Sequence, residues 1–241
     1  MNVKSTLFSI LLLLSLSIIS CKKEVVDPEP EIPISPTDSV GFNFSFEKWA
    51  STSLDGLVYE EPSGGYWTTL NYLSRLSCPI TVSKTTDAQH GGFSACLETK
   101  QWGSMVIPGL LVMGTFIPED PFIIQGKPYT ERPTSVNGFY KYLPIDGDTC
   151  VLYARLSKYN TTLNKQDTIA EASITVNNNV PQFLPFSLIF DYRDPVSNPD
   201  SLTILFVSSI DGANFRGHPG SKLFVDNLAL EYEAFTKRRI K

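Results

Sequence analysis

From Val40 onward the chain is written in short runs whose large apolar residues recur at every second position. Glycine, proline, asparagine and aspartate cluster between the runs. "LPFSLIF" places Leu184, Phe186, Leu188 and Phe190 on one side, and "SLTILFVSS" does the same with Leu202, Ile204 and Phe206. A period of two is the signature of a strand that buries one face. "VGFNFSFEKW", "YWTTLNYL", "PITVSK", "FSACLETK", "GLLVMGTFI", "TSVNGFYKYL", "TCVLYARLSKY", "IAEASITV" and "KLFVDNLALEY" are of the same type. The breaks between them, among them "HGG", "IDGD", "VNNN" and "DYRDPVSNPD", carry turn chemistry. No amphipathic helix of ten or more residues is evident. Roughly ten short strands in one stretch predict an all-β fold: an antiparallel β-sandwich, jelly-roll-like, forming a single domain over residues 40–241.

The first 39 residues follow other rules. Residues 1–20 hold Lys4, then "LFSILLLLSLSII", then a small residue before Cys21. A charged start, a short apolar run and a cleavage site make a removed leader, and the run is too short to cross a bilayer core of roughly 20 apolar residues. "IISC" resembles the lipobox of bacterial lipoproteins. The resemblance implies cleavage before Cys21, lipid on its sulfur, and attachment to the outer membrane of the cell envelope, facing either the periplasm or the surface. Residues 21–39, rich in proline and acid and poor in aromatics, read as a disordered tether.

Charge and cysteine count narrow the chemistry. The full chain of 241 residues carries a formal net charge of −5, and loss of Lys4 with the leader makes it about −6. Such a chain has no electrostatic footprint for nucleic acid. Beyond Cys21 only Cys78, Cys96 and Cys150 remain, so at most one disulfide can form within the chain, Cys78–Cys96 being one choice. Two histidines and no C-x-x-C spacing make a zinc site improbable.

The usual catalytic signatures are absent: no G-x-S-x-G, no phosphate-cradling glycine loop, no H-E-x-x-H. A glycosidase needs only two carboxylates roughly 5–10 Å apart, which 25 acidic residues leave open. "DGD" (Asp146 to Asp148) reads as a tight turn.

The strand "KLFVDNLALEY" raises a question. By strict alternation Asp226 shares a face with Phe224, Leu228, Leu230 and Tyr232. A carboxylate among apolar neighbours costs several kcal/mol unless it is paired. Backbone amides, Arg155 or Lys141 could pair with it. So could a metal. The first run holds "FEKW", with Glu47. Together with "HGGFSACLE" and "VDNL" it resembles the β-sandwich carbohydrate-binding modules. In those, such a Phe-Glu, a carbonyl near the glycine-rich turn and a last-strand aspartate hold one structural calcium. Carried over, the resemblance implies Glu47, Asp226 and the carbonyl of Gly92 as ligands, oxygen donors of the kind calcium takes.

A second resemblance covers more of the chain. "GKPYTERPTS", "GFYKY" and "GDT", with "FEKW" and "YWTTLN" before them and "GSKLFVDNLALEY" after, are similar to the bacterial family called the putative carbohydrate metabolism domain, over roughly Phe44 to Tyr232. It implies a β-sandwich on a lipoprotein engaged in glycan handling. A glycan site wants flat aromatic faces and planar polar groups. Trp67 and Trp102 are the candidates for stacking, with Tyr66, Asn71, Tyr129 and Arg132 beside them. The expected function is a lipid-anchored, non-catalytic carbohydrate-binding domain that takes a polysaccharide or oligosaccharide. The alternatives are a glycan-active hydrolase with paired carboxylates, or a structural subunit of a surface complex.

Overall fold

The computed structural model describes residues 41–54, 56–117, 120–214 and 216–233. The leader, the tether, Cys21 and the tail after 233 lie outside the described residues.

Two antiparallel sheets face each other. One is ordered Val180–Ile189, Ser135–Leu143, Lys222–Glu231, Ser94–Glu98 and Val82–Thr85. The other runs Asp191–Tyr192, Lys165–Val176, Cys150–Asn160, Ser201–Val207, Leu110–Met113 and Trp67–Thr69, with Lys127–Pro128 also paired to Ser201–Val207. Leaving aside the two-residue strands and counting from Ser94–Glu98, strands one, eight, three and six form one layer and two, seven, four and five the other. That order is the jelly roll the strand count predicts.

The inner faces close the core. Leu152, Ala154 and Leu156 are fully buried, as are Leu202, Ile204 and Phe206 on the neighbouring strand. Phe186 of the opposite sheet meets Phe206 edge to face, ring centroids 6.2 Å apart. The predicted Phe186, Leu188 and Phe190 are buried, while Leu184, midway along the strand, is exposed. Cys78, Cys96 and Cys150 are separate buried thiols. Burial pushes Cys96 up to about 11 and Cys150 up to about 12, so both behave as small hydrophobes.

Three elements differ from the pattern. Residues 42–48 form no strand: a turn puts Asn43 and Phe46 at positive φ, 54° and 51°. The Asn43 side chain locks it, donating to the Lys48 carbonyl at 2.7 Å and accepting from the Lys48 N–H at 3.2 Å. Phe42, Phe44 and Phe46 are nonetheless all buried. "YWTTLNYL" is a strand only at Trp67–Thr69. The Thr69 hydroxyl then accepts from the Asn71 N–H and caps a 3-10 helix, Leu70–Leu76. The last strand changes phase at Asn227, whose φ is +50°. One extra residue between Asp226 and Ala229 faces Asn137–Phe139 opposite. This bulge turns Leu223, Val225 and Leu228 into the core and leaves Phe224 and Asp226 on the outer face. Strict alternation therefore puts Asp226 on the wrong side of the sheet.

Candidate functional site

The outer face of the larger sheet carries a groove. Residues that alternate with the buried set point into it: Val151, Tyr153 and Arg155 from Cys150–Asn160, and Leu205 and Val207 from Ser201–Val207, with Thr203 beneath. They pair across the strands as Val151–Val207, Tyr153–Leu205 and Arg155–Thr203. Toward Val151 the groove is apolar, a cavity of about 500 Å3. Its walls are Leu70, Tyr72, Leu73 and Leu76 of the 3-10 helix, and Trp102 and Met105 of a small ribbon, Lys100–Trp102 with Met105–Ile107. Toward Arg155 it is polar, about 660 Å3, and lined by Gln125, Tyr159, Asn164, Lys165 and Gln166. Ile124 and Leu205 line both parts, so the two adjoin. Each volume lies within the roughly 300–1,000 Å3 of ordinary ligand pockets.

The polar part is electrostatically uneven. Its described lining holds two cations, Arg155 and Lys165, and no carboxylate. Glu171, opposite Arg155 on the next strand, is engaged elsewhere: it accepts from the Tyr153 hydroxyl at 3.2 Å and pairs with Arg193. Lys165 stands 3.5 Å from Asp167 at the exposed rim. Burial raises the Tyr153 phenol above its usual range, so it stays a neutral donor at any ordinary pH.

A second corner is built around Asp226. Its Oδ2 accepts from the N–H groups of Gln89 and His90, at 2.8 and 3.0 Å, and its Oδ1 from that of Asn227 at 2.8 Å. Glu47 Oε1 accepts from Gly92 and Phe93, at 2.9 and 3.1 Å. Two carboxylates from opposite ends of the chain thus clamp one loop. Gly91 is required there: its φ is +72°, and a Cβ would collide with Glu47 Oε1. Backbone amides are what pair with Asp226; Lys141 pairs with Asp87 instead, and Arg155 belongs to the groove. Gly92 meets Glu47 through its N–H. Among the described residues no cluster of three or more metal-ligating side chains occurs.

The structure scatters the six residues proposed for sugar contact. Trp67 is 3% exposed. Its ring lies between Phe46 and Phe206, and its Nε1–H donates to the Phe42 carbonyl at 2.7 Å. With no free face it is a core anchor, which corrects its assignment as a platform. Asn71 is fully buried and ties Thr81 and Val82 through its side chain. Tyr66 packs edge-on against Phe42, and Tyr129, also buried, shares a hydroxyl contact with Tyr232. Arg132 lies over Tyr192 at 4.2 Å and donates to the Asp194 carbonyl at 3.0 Å and to that of Ser197. These five pack or hydrogen-bond within the fold. Trp102 alone lines the groove. Tyr153, Arg155, Thr203 and Tyr159 went unrecognised in the sequence, although the polar members of "YARLSKY" and "SLTILF" interleave with the core residues.

Residues 45–231 match the model of the family described as "putative carbohydrate metabolism domain". The chain belongs to that family. No curated protein matches the chain. Among solved structures, this carbohydrate metabolism domain resembles two described as putative glycoside hydrolases. The one from Bacteroides vulgatus is 21% identical, with a TM-score of 0.67, over 79% of this chain and 97% of that one. The one from Bacteroides thetaiotaomicron is 20% identical, with a TM-score of 0.63, over 76% of this chain and 66% of that one, so the present chain spans just under two thirds of its length. A non-crystalline cellulose specific carbohydrate-binding module, CBM28, overlaps more loosely, with a TM-score of 0.39 and 10% identity over 69% of this chain and 87% of that one. The first two likenesses establish the shared β-sandwich.

Proposed function

We propose that this domain binds a glycan chain along the groove of its larger sheet, without cleaving it. The observation that carries the reading is the continuity of two unlike surfaces through Ile124 and Leu205. A pyranose offers apolar C–H faces and a rim of hydroxyls. The groove offers Tyr72 and Trp102 at one end and Tyr153, Asn164, Gln166 and Gln125 at the other. Aromatic faces take the former and planar polar groups the latter. Membership of a carbohydrate metabolism family supports the same class of ligand.

The chain is set at the bacterial cell envelope by lipid on Cys21, a reading supported by the leader and the cysteine that follows it. The tether then holds the domain near the membrane, and many such domains raise the local concentration of polymer by avidity. Mass spectrometry of the membrane fraction should find the N-terminal Cys21 acylated, and Cys21→Ser should release the protein.

Affinity gels and a glycan array with the full chain test the groove. Wild type should be retained by at least one polysaccharide, and Trp102→Ala and Tyr159→Ala should lose most of that retention. Capture by no glycan would overturn the reading. Release of new reducing ends by the wild type would replace it with hydrolysis, the activity in the names of the two Bacteroides structures.

A further inference from the structure

Two polar atoms on the groove floor, Arg155 Nε and Thr203 Oγ1, are buried and have no hydrogen-bond partner among the described residues. They belong to residues directly opposite each other on adjacent strands, and both line the polar part of the groove. Thr203 itself is 3% exposed. Buried polar groups are nearly always satisfied in native proteins, so a pair of orphans at one spot calls for a partner.

The chemistry of the pair limits what that partner can be. Guanidinium Nε–H only donates, and a hydroxyl can donate, so the missing group is an acceptor. It must also answer a positive charge. The carboxylate facing Arg155, Glu171, is already held by Arg193 and the Tyr153 hydroxyl, and Arg155 forms no ion pair among the described residues. Lys165, the other cation of this lining, is answered by Asp167 at 3.5 Å, so the excess positive charge here is that of Arg155. An oxyanion fits that excess best, because charge-assisted bonds to guanidinium are roughly twice as strong as neutral ones.

We infer that the polar end of the groove takes the acidic group of an anionic saccharide, a uronate carboxylate or a sulfate, on Arg155 and Thr203. This rests on the glycan-binding reading above and adds the class of sugar. The acidic group meets the half-buried Arg155 guanidinium, and Arg155 must shift to bring its covered Nε–H and the covered Thr203 hydroxyl onto the saccharide oxygen.

Affinity measured with the full chain at 0.15 M salt tests it. The probes are polygalacturonate and alginate against fully methyl-esterified pectin, and dextran sulfate against dextran. At least one acidic polymer should bind about tenfold or more tightly than its neutral counterpart. Uronate binding assigns a carboxylate and dextran sulfate binding a sulfate. Arg155→Gln should erase the preference, bringing acidic-polymer affinity down to that of the neutral counterpart. Thr203→Val keeps the side chain's shape, so it should fold as stably as wild type and narrow the preference for acidic polymer. Equal affinity for acidic and neutral polymers, or a preference that survives both substitutions, overturns the assignment and leaves glycan binding standing. Binding to neither kind, with no hit on the array, removes both.

Discussion

Glu47 and Asp226 grip the same five-residue loop, Glu47 through the amides of Gly92 and Phe93, Asp226 through those of Gln89 and His90. One residue lies near the start of the domain and the other in its last strand. The loop between them is therefore the point where the two ends of the fold are joined.

Removing either clamp should loosen that junction. Asp226→Ala strands three amide donors at a buried position, and each unmet group costs about 1–3 kcal/mol where water cannot reach it. Relief of the desolvated charge offsets part of this. A net loss of about 1–3 kcal/mol in urea unfolding is expected, with faster amide exchange confined to residues 89–93. Unchanged stability and exchange would show that the loop is held by something else.

Asp226 also sets a dependence on pH. Burial, reinforced by nearby Glu47, pushes its carboxyl up to about 6 despite three amide donors. The folded value exceeds the unfolded one near 3.8, so the folded state binds the proton more tightly. Its contribution is present in full below about pH 3.8 and is lost as pH rises through 6. Wild type should therefore lose stability relative to Asp226→Asn between pH 4 and 7. Calcium, implied by the resemblance to carbohydrate-binding modules, acts in the opposite sense, since a cation favours the carboxylate. If calcium occupies this corner, adding it must raise the melting temperature near pH 7 and abolish that slope. Superimposable curves with calcium and with chelator dispose of the cation.

The two tryptophans should part company. Trp67→Ala opens a large cavity in the core and breaks the bond to the Phe42 carbonyl, so a loss of about 3–5 kcal/mol is expected. Trp102, half-buried on its ribbon, should cost under about 1 kcal/mol when truncated and act on glycan retention instead. Thermal melts beside affinity gels separate the effects. A stable Trp67→Ala variant that no longer binds would return the platform to Trp67.

The sequence by itself determined the all-β class, most of the strands and the resemblance to the family. Alternation of large apolar residues decides which segments can bury a face, and that rule needs only neighbours along the chain. It could not place Asp226, because a single bulge at Asn227 reverses the alternation halfway along the strand. Nor could it tell a tryptophan that anchors the core from one that lines a groove, since Trp67 and Trp102 have the same chemistry and differ only in what packs against them. The groove was decided by tertiary structure for the same reason. Arg155 and Thr203 are far apart in sequence, and it is strand register, fixed by packing on the opposite face, that brings two unsatisfied donors side by side.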